Sequence, residues 1–160
     1  MHPSSYAMMK LLLSQHLPAD NPLHILDVGA MDVNGGYRPL MAPAWKYTGC
    51  DIAPGANVDL VQLSPYHIQD QAADYDVVIS GQCLEHVEMP FLLVREIARV
   101  LKPCGLCFLV APWTWPVHRF LLDCWRILPD GMAAMLRFAG LTPIIDPFIN
   151  ANDCWGVARK

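Results

Sequence analysis

Three groups of residues carry the chemistry open to this sequence. Gly29 lies in "HILDVGAMDVNGG" (24–36), where an apolar run ends in a glycine turn, and Asp51 in "YTGCDI" follows twenty-two residues later. "GQCLEHV" offers Gln82, Glu85 and His86, and "PWTWPVHR" offers His118 beside Trp113 and Trp115. Glycine lets a ligand approach the backbone closely, because no side chain stands in the way. An acidic residue about twenty positions after such a turn is placed to accept both hydroxyls of a ribose. The dinucleotide fingerprint G-x-G-x-x-G is missing, since Ala30, Met31 and Asp32 follow Gly29 and the next glycines are Gly35 and Gly36. A helix starting near Gly35 or Gly36 leaves no tight, pyrophosphate-sized pocket at its amino end. A ligand with a ribose and no phosphate satisfies both facts. A nicotinamide-dependent oxidoreductase is disfavoured by the same reasoning.

Further residues admit two readings. Trp113 and Trp115 suit stacking on a ring or sugar, and Arg119 and Arg126 in "HRFLLDCWR" suit a phosphate or carboxylate; the competing reading is a packed lid with two surface arginines. "CGLC" (104–107) has the C-x-x-C spacing of redox and zinc sites, but a single pair is a weak signal. Small residues in a tight turn between helix and strand account for it.

Positioning these groups requires strands and helices in alternation. "LHILDV" (23–28), "YDVVIS" (75–80) and "LCFLVA" (106–111) are near-continuous apolar runs, as expected of strands covered on both faces. "KYTGCD" (46–51) and "VDLVQ" (58–62) are weaker strand candidates, and "LTPIID" and "DCWGVARK" close the chain as two more. Helical spacing marks 90–102, with Pro90 in its first turn, and 129–140, with Gly140 as its stop. The N-terminal segment reads as an amphipathic helix capped near Ser5. This alternation predicts a mostly parallel sheet with helices on both faces, and ligands beyond the carboxyl ends of its strands.

At 160 residues, 1–160 reads as a single domain. Apolar residues make up 54% and charged residues 16%, which excludes a disordered chain. The net charge of −4 with dispersed basic residues argues against nucleic acid as a partner. No apolar stretch is long enough to span a membrane, and the N-terminus lacks a basic leader, so a cytoplasmic location with reduced cysteines is expected. The high apolar content allows a homodimer.

From about residue 23 to 160 the chain resembles a small class I S-adenosylmethionine-dependent methyltransferase of the type 11 kind, in a group of short bacterial members. "ILDVGA" resembles that family's first motif and "YTGCDI" its second. "DYDVVISGQCLEHV" resembles the fourth-strand motif, and "EIARVLKPCGLCFLVAP" the helix and strand after it. The resemblance implies a Rossmann-like α/β fold: a seven-stranded, mostly parallel sheet with an antiparallel last strand, in a three-layer αβα sandwich. It implies that segment 1–20 packs on or caps the cofactor site. S-adenosyl-L-methionine would be held by Asp27, Gly29, Ala30, Asp51, Ile52, Ser64, Gly81 and Gln82, leaving S-adenosyl-L-homocysteine as product. Gly29 and neighbouring backbone would hold the methionine end, Asp51 the ribose, residues after the third strand the adenine, and Gln82 the sulfonium side.

Methyl transfer needs a nucleophile held in line about 3 Å from the methyl group. Glu85 and His86 at the mouth of the site, with His118, are the candidate catalytic residues, since an imidazole is a usable base at neutral pH. A base favours a hydroxyl, or less readily a nitrogen, of a small-molecule acceptor such as a sugar or secondary metabolite. Some methyltransferases carry E-x-x-E-H at this place and bind magnesium. Gln82 replaces one of those carboxylates here, so metal independence is expected. The alternative function is a non-catalytic cofactor-binding subunit that supports a partner enzyme.

Overall fold

The computed structural model describes residues 3–69 and 72–160, so the first two positions of segment 1–20 lie outside the described residues. The chain runs α1 (Pro3–His16), β1 (Leu23–Val28), β2 (Trp45–Asp51), β3 (Leu60–Val61), β4 (Tyr75–Gly81), α2 (Pro90–Val100), β5 (Leu101–Pro112), α3 (Pro129–Phe138), β6 (Thr142–Asn150) and β7 (Asp153–Arg159). One seven-stranded sheet results, in the order β3-β2-β1-β4-β5-β7-β6. Strands β1 to β5 are parallel, and β7 pairs antiparallel with both β5 and β6. From β1 the chain proceeds outward through β2 to β3, then returns to place β4 on the other side of β1. Strand order therefore reverses at the β1/β4 boundary.

Side-chain alternation along the central strands divides the core in two. Ile25, Val77, Ile79, Phe108, Val110 and Trp155 face α1, which buries Met9, Leu12 and Leu13 against them. Leu26, Val28, Val78, Cys107 and Leu109 face α2 and α3, which contribute Leu93, Val94, Ile97, Met132, Met135 and Leu136. Three layers follow, as expected. Helix α1 starts at Pro3, so Ser5 is not its cap; it is buried and its hydroxyl lies 3.0 Å from Tyr37 Oη.

Strict alternation of strand and helix holds only in the second half. Among the described residues no α-helix joins β1 to β2, β2 to β3 or β3 to β4; the first connection has only a short 3₁₀ turn, Arg38–Leu40. The helix anticipated near Gly35 or Gly36 is thus absent. Two adjacent glycines, then Pro39 and Pro43, deny that segment a helical run. Tyr37, Leu40 and Met41 from this segment pack into the α1-side core. "CGLC" falls at a break in β5 pairing, where Tyr75 opposes Leu101 but Val77 opposes Leu106. Cys104 is exposed with φ +65°, whereas Cys107 points into the core and burial pushes its thiol up to about 12. The two sulfurs serve different environments and do not form a site.

Candidate active site

The segments that follow the five parallel strands enclose a cavity of about 780 Å³ at the reversal of strand order. That volume suits a ligand of cofactor size (roughly 300–1,000 Å³ for small-molecule sites). Its wall includes Asp27, Gly29, Ala30, Asp51, Ile52, Ser64, Gly81 and Gln82, and, at the other end, His86 and His118.

At the first end, Gly29 and Ala30 each donate their N–H to Cys50 O at 3.0 Å, which ties the turn to β2. Gly29 has φ +77°, and a Cβ there would lie 2.6 Å from the Cβ and Sγ of Cys83. Glycine is required on both counts. Asp51 accepts from Met31 N–H at 3.1 Å on one oxygen and from Ile52 N–H at 2.7 Å on the other. Each carboxylate oxygen retains a second lone pair for a ligand hydroxyl. Ser64 accepts from Tyr66 N–H at 3.1 Å, and Gln82 donates through Nε2 to Asp153 Oδ1 at 2.9 Å.

A polar network takes the place of the missing helix. Tyr47 donates its hydroxyl to Asp27 Oδ2 at 2.6 Å and accepts from Asn57 Nδ2 at 2.9 Å, while Asn57 Nδ2 also donates to Ala30 O at 2.8 Å. Arg38 donates to Asn57 Oδ1 at 2.6 Å, pairs with Asp59, and lies 4.3 Å over the Tyr47 ring. Burial pushes the Asp27 carboxyl up to about 7, against the downward pull of the Tyr47 hydrogen bond and of Arg38. Tyr37, which sequence reading did not single out, also lines the cavity. It is held by Ser5 and packs on Gly81, where a Cβ would meet Tyr37 Oη at 2.4 Å. Ser5 of α1 thus touches one residue of the cavity wall.

The other end is built from segment 113–128, which has little regular structure but is clamped at several points. Ile127 N–H donates to Pro112 O at 2.9 Å, Cys124 N–H to Glu85 O at 2.7 Å, and Trp125 Nε1 to Val87 O at 3.0 Å. Arg126 grips Asp123 with two nitrogens, at 2.6 and 2.8 Å, and donates to the carbonyls of Trp115 and Pro116. Asp123 in turn accepts from His118 N–H at 2.8 Å. This bidentate guanidinium contact, with the other donors, holds the Asp123 carboxyl far below the usual carboxylate range. The His118 ring places Nδ1 3.2 Å from Pro116 O and 3.5 Å from Asp123 Oδ2. Both neighbours are acceptors, so the ring proton belongs on Nδ1 and Nε2 keeps its lone pair.

His86 is placed differently. Its Nδ1 lies 2.6 Å from Leu122 O, and its Nε2 lies 3.6 Å from Glu85 Oε1. Glu85 is fully buried, does not line the cavity, and neither carboxylate oxygen has a hydrogen-bond partner among the described residues. Burial pushes its carboxyl up to about 8, chiefly by desolvation. Glu85 therefore stands behind His86 and not at the mouth of the site. Glu85, His86 and His118 form the one group among the described residues able to hold a metal ion, with candidate ligand atoms within 4.8 Å of one another. Gln82 is turned away to Asp153 and does not join them.

A mostly parallel sheet that ends in an antiparallel β7, with a cavity beyond its parallel strands where strand order reverses, is the fold of a class I S-adenosylmethionine-dependent methyltransferase. The family described as "Methyltransferase domain" matches residues 26–109, more than half of the chain, and the chain belongs to that family. Among solved structures it is similar to a Burkholderia thailandensis 1,6-didemethyltoxoflavin-N1-methyltransferase bound to 1,6-didemethyltoxoflavin and S-adenosylhomocysteine. The TM-score is 0.76 at 18% identity, over 98% of this chain and 78% of that one. It is also similar to a methyltransferase from Aquifex aeolicus (TM-score 0.71, 15% identity, 99% and 93% covered) and to the CurJ carbon methyltransferase (0.71, 14%, 96% and 53%). These likenesses establish the fold, and they span nitrogen and carbon acceptors. No curated protein matches the chain significantly. No helix among the described residues is long and apolar enough to cross a membrane.

S-adenosylmethionine fits this cavity on the chain's own features. The Gly29 turn is bare and fixed to β2, Asp51 keeps acceptor capacity, and nothing at the turn supplies a pyrophosphate seat.

Proposed function

We propose that this enzyme methylates a hydroxyl group of a small molecule, with His118 as the general base. Bound S-adenosylmethionine supplies a methyl group activated by its sulfonium. The chain's share is to hold the cofactor, orient the acceptor and remove one proton. Asp51 takes the ribose hydroxyls, the backbone at Gly29 and Ala30 takes the methionine end, and Ser64 lies on the adenine side. Asp27 and Gly81 shape the floor between them, with Ile52 and Gln82 on the flanks. His118 is the observation that carries the reading. Its Nδ1 is engaged by Pro116 O and Asp123, so the lone pair of Nε2 is the one free to accept a hydroxyl proton. Asp123 is a positioning residue, locked by Arg126. A neutral amine attacks before it loses a proton and a carboxylate has none to lose, so a built base favours a hydroxyl. Incubating the protein with labelled cofactor and a panel of sugars and phenols tests this. Label should appear on oxygen and depend on His118; transfer only to nitrogen or carbon would overturn it.

A second reading rests on the buried Glu85 carboxylate, which has no hydrogen-bond partner among the described residues. Glu85, His86 and His118 would hold a divalent ion, which would lower the pKa of a hydroxyl at the same place. A chelator that abolishes turnover, restored by added manganese or zinc, would select this reading over His118 as base.

A further inference from the structure

Segment 113–128 carries two arginines with opposite fates. Arg126 is saturated: Asp123 binds it bidentately, and the carbonyls of Trp115, Pro116 and Trp125 accept its remaining donors. Arg119 lines the cavity and has no hydrogen bond or ion pair with any described residue. The packed-lid reading therefore holds for Arg126 and not for Arg119. The segment is anchored on both sides of Arg119, by His118 N–H on Asp123 and by Cys124 and Ile127 N–H on the sheet side, so the guanidinium is presented from a braced loop.

The surroundings of Arg119 restrict what it could bind. Trp115, Phe120, Leu121 and Leu122 line the same end of the cavity, all with substantial exposed apolar surface. Glu88 also lines the cavity. Among the described residues lining the cavity Arg119 is the one guanidinium or ammonium group, which suits a monoanion better than a dianionic phosphate, and the planar fork of guanidinium matches a carboxylate. Apolar walls suit a ring or chain between the charged end and the reacting end. His118 and Arg119 are consecutive and both line this cavity, so one small molecule occupying it has both groups on its wall.

We infer that the acceptor is a hydroxy acid with an apolar body, its carboxylate held by Arg119 while its hydroxyl faces His118. This inference rests on the hydroxyl-methylation reading and adds a substrate class to it. The carboxylate is the handle and not the methylated group. The hydroxyl loses its proton to His118 Nε2 as its oxygen takes the methyl group, and the neutral thioether leaves.

The probes are 6-hydroxy-2-naphthoate, its methyl ester and 2-naphthol. Their fluorescence reports binding to the S-adenosylhomocysteine-loaded protein, and labelled cofactor reports transfer. The acid should bind at least about tenfold more tightly than the ester or the naphthol, the scale of one charge-assisted hydrogen bond. Arg119→Gln should erase that preference while leaving S-adenosylhomocysteine affinity and melting temperature unchanged, and Arg119→Lys should retain part of it. Equal binding of acid and ester, no binding of any probe, or a preference that survives Arg119→Gln would overturn the inference. The two proposals fail separately. Arg119-dependent binding of the acid without oxygen methylation would sink the hydroxyl reading and keep the carboxylate seat. Methylation of naphthol and ester as fast as the acid would keep the hydroxyl reading and remove the seat.

Discussion

The two ends of the cavity are built on opposite plans. At the Gly29 end, polar side chains are bound to backbone and to one another. Asp51 is fixed by two N–H groups, and Asp27, Tyr47, Asn57, Arg38 and Asp59 form a continuous chain of hydrogen bonds. At the His118 end, an irregular loop is clamped at its base by the Asp123–Arg126 pair, and its tip leaves Val117 72% and Leu121 75% exposed. One end is held together by hydrogen bonds between its own polar groups. The other presents apolar surface and, in Arg119, a guanidinium with no hydrogen bond or ion pair among the described residues, the arrangement on which the proposed acceptor site rests. The lesson is that a βα-type ligand turn does not need its helix. Here a polar network drawn from β1, β2 and the connections on either side of β2 ties the glycine turn down.

The largest expected effect falls at the acceptor end. His118→Gln should lower kcat by roughly 10²–10⁴-fold, the range for loss of a general base, with S-adenosylhomocysteine affinity unchanged by calorimetry. Weakened affinity in that variant would blur the division between the two ends. Gly29→Ala should do the reverse. The left-handed backbone and the contact with Cys83 leave no room for a methyl group. Affinity should fall by about a hundredfold, with a lower melting temperature, given ~1–3 kcal/mol for a strained residue before any clash. Asp51→Ala should weaken S-adenosylhomocysteine at least about tenfold while the fold stays intact by circular dichroism.

A smaller effect comes from Glu85. Its carboxyl is raised from an ordinary 4.5 to about 8 in the fold. Between those values the native state holds a proton that the unfolded chain has lost. Stability therefore falls as pH rises through this window, and Asp27, raised to about 7, acts in the same direction. The melting temperature should be higher at pH 5 than at pH 8, and Glu85→Gln should flatten that slope. A slope of the opposite sign would show that Glu85 is ionised and paired.

Strands β1 and β4, the core of β5, and helices α2 and α3 were legible in the sequence because their apolar residues recur at the period of the element they form. The Gly29–Asp51 relation was legible for the same local reason, being one strand, one turn and one strand. The absence of a helix after β1 was harder to see, since the loop is held by contacts such as Arg38 to Asn57 and Tyr47 to Asp27, nineteen and twenty residues apart. Tyr37 entered the site through Ser5 and Gly81, partners that no local pattern announces. Glu85 and His86 are neighbours in a tight 3₁₀ turn, so which of them faces the cavity depended on packing. The contact of His86 Nδ1 with Leu122 O, and of His118 with Asp123, likewise arises only once segment 113–128 folds back over the strand ends.

Parallel calorimetric titrations of the protein with S-adenosylhomocysteine and with NADH test most directly whether the Gly29 turn receives an adenosine without linked phosphates. The account predicts one S-adenosylhomocysteine bound per chain and no heat from NADH. Saturable NADH binding, or an S-adenosylhomocysteine titration without heat across temperatures, would contradict it.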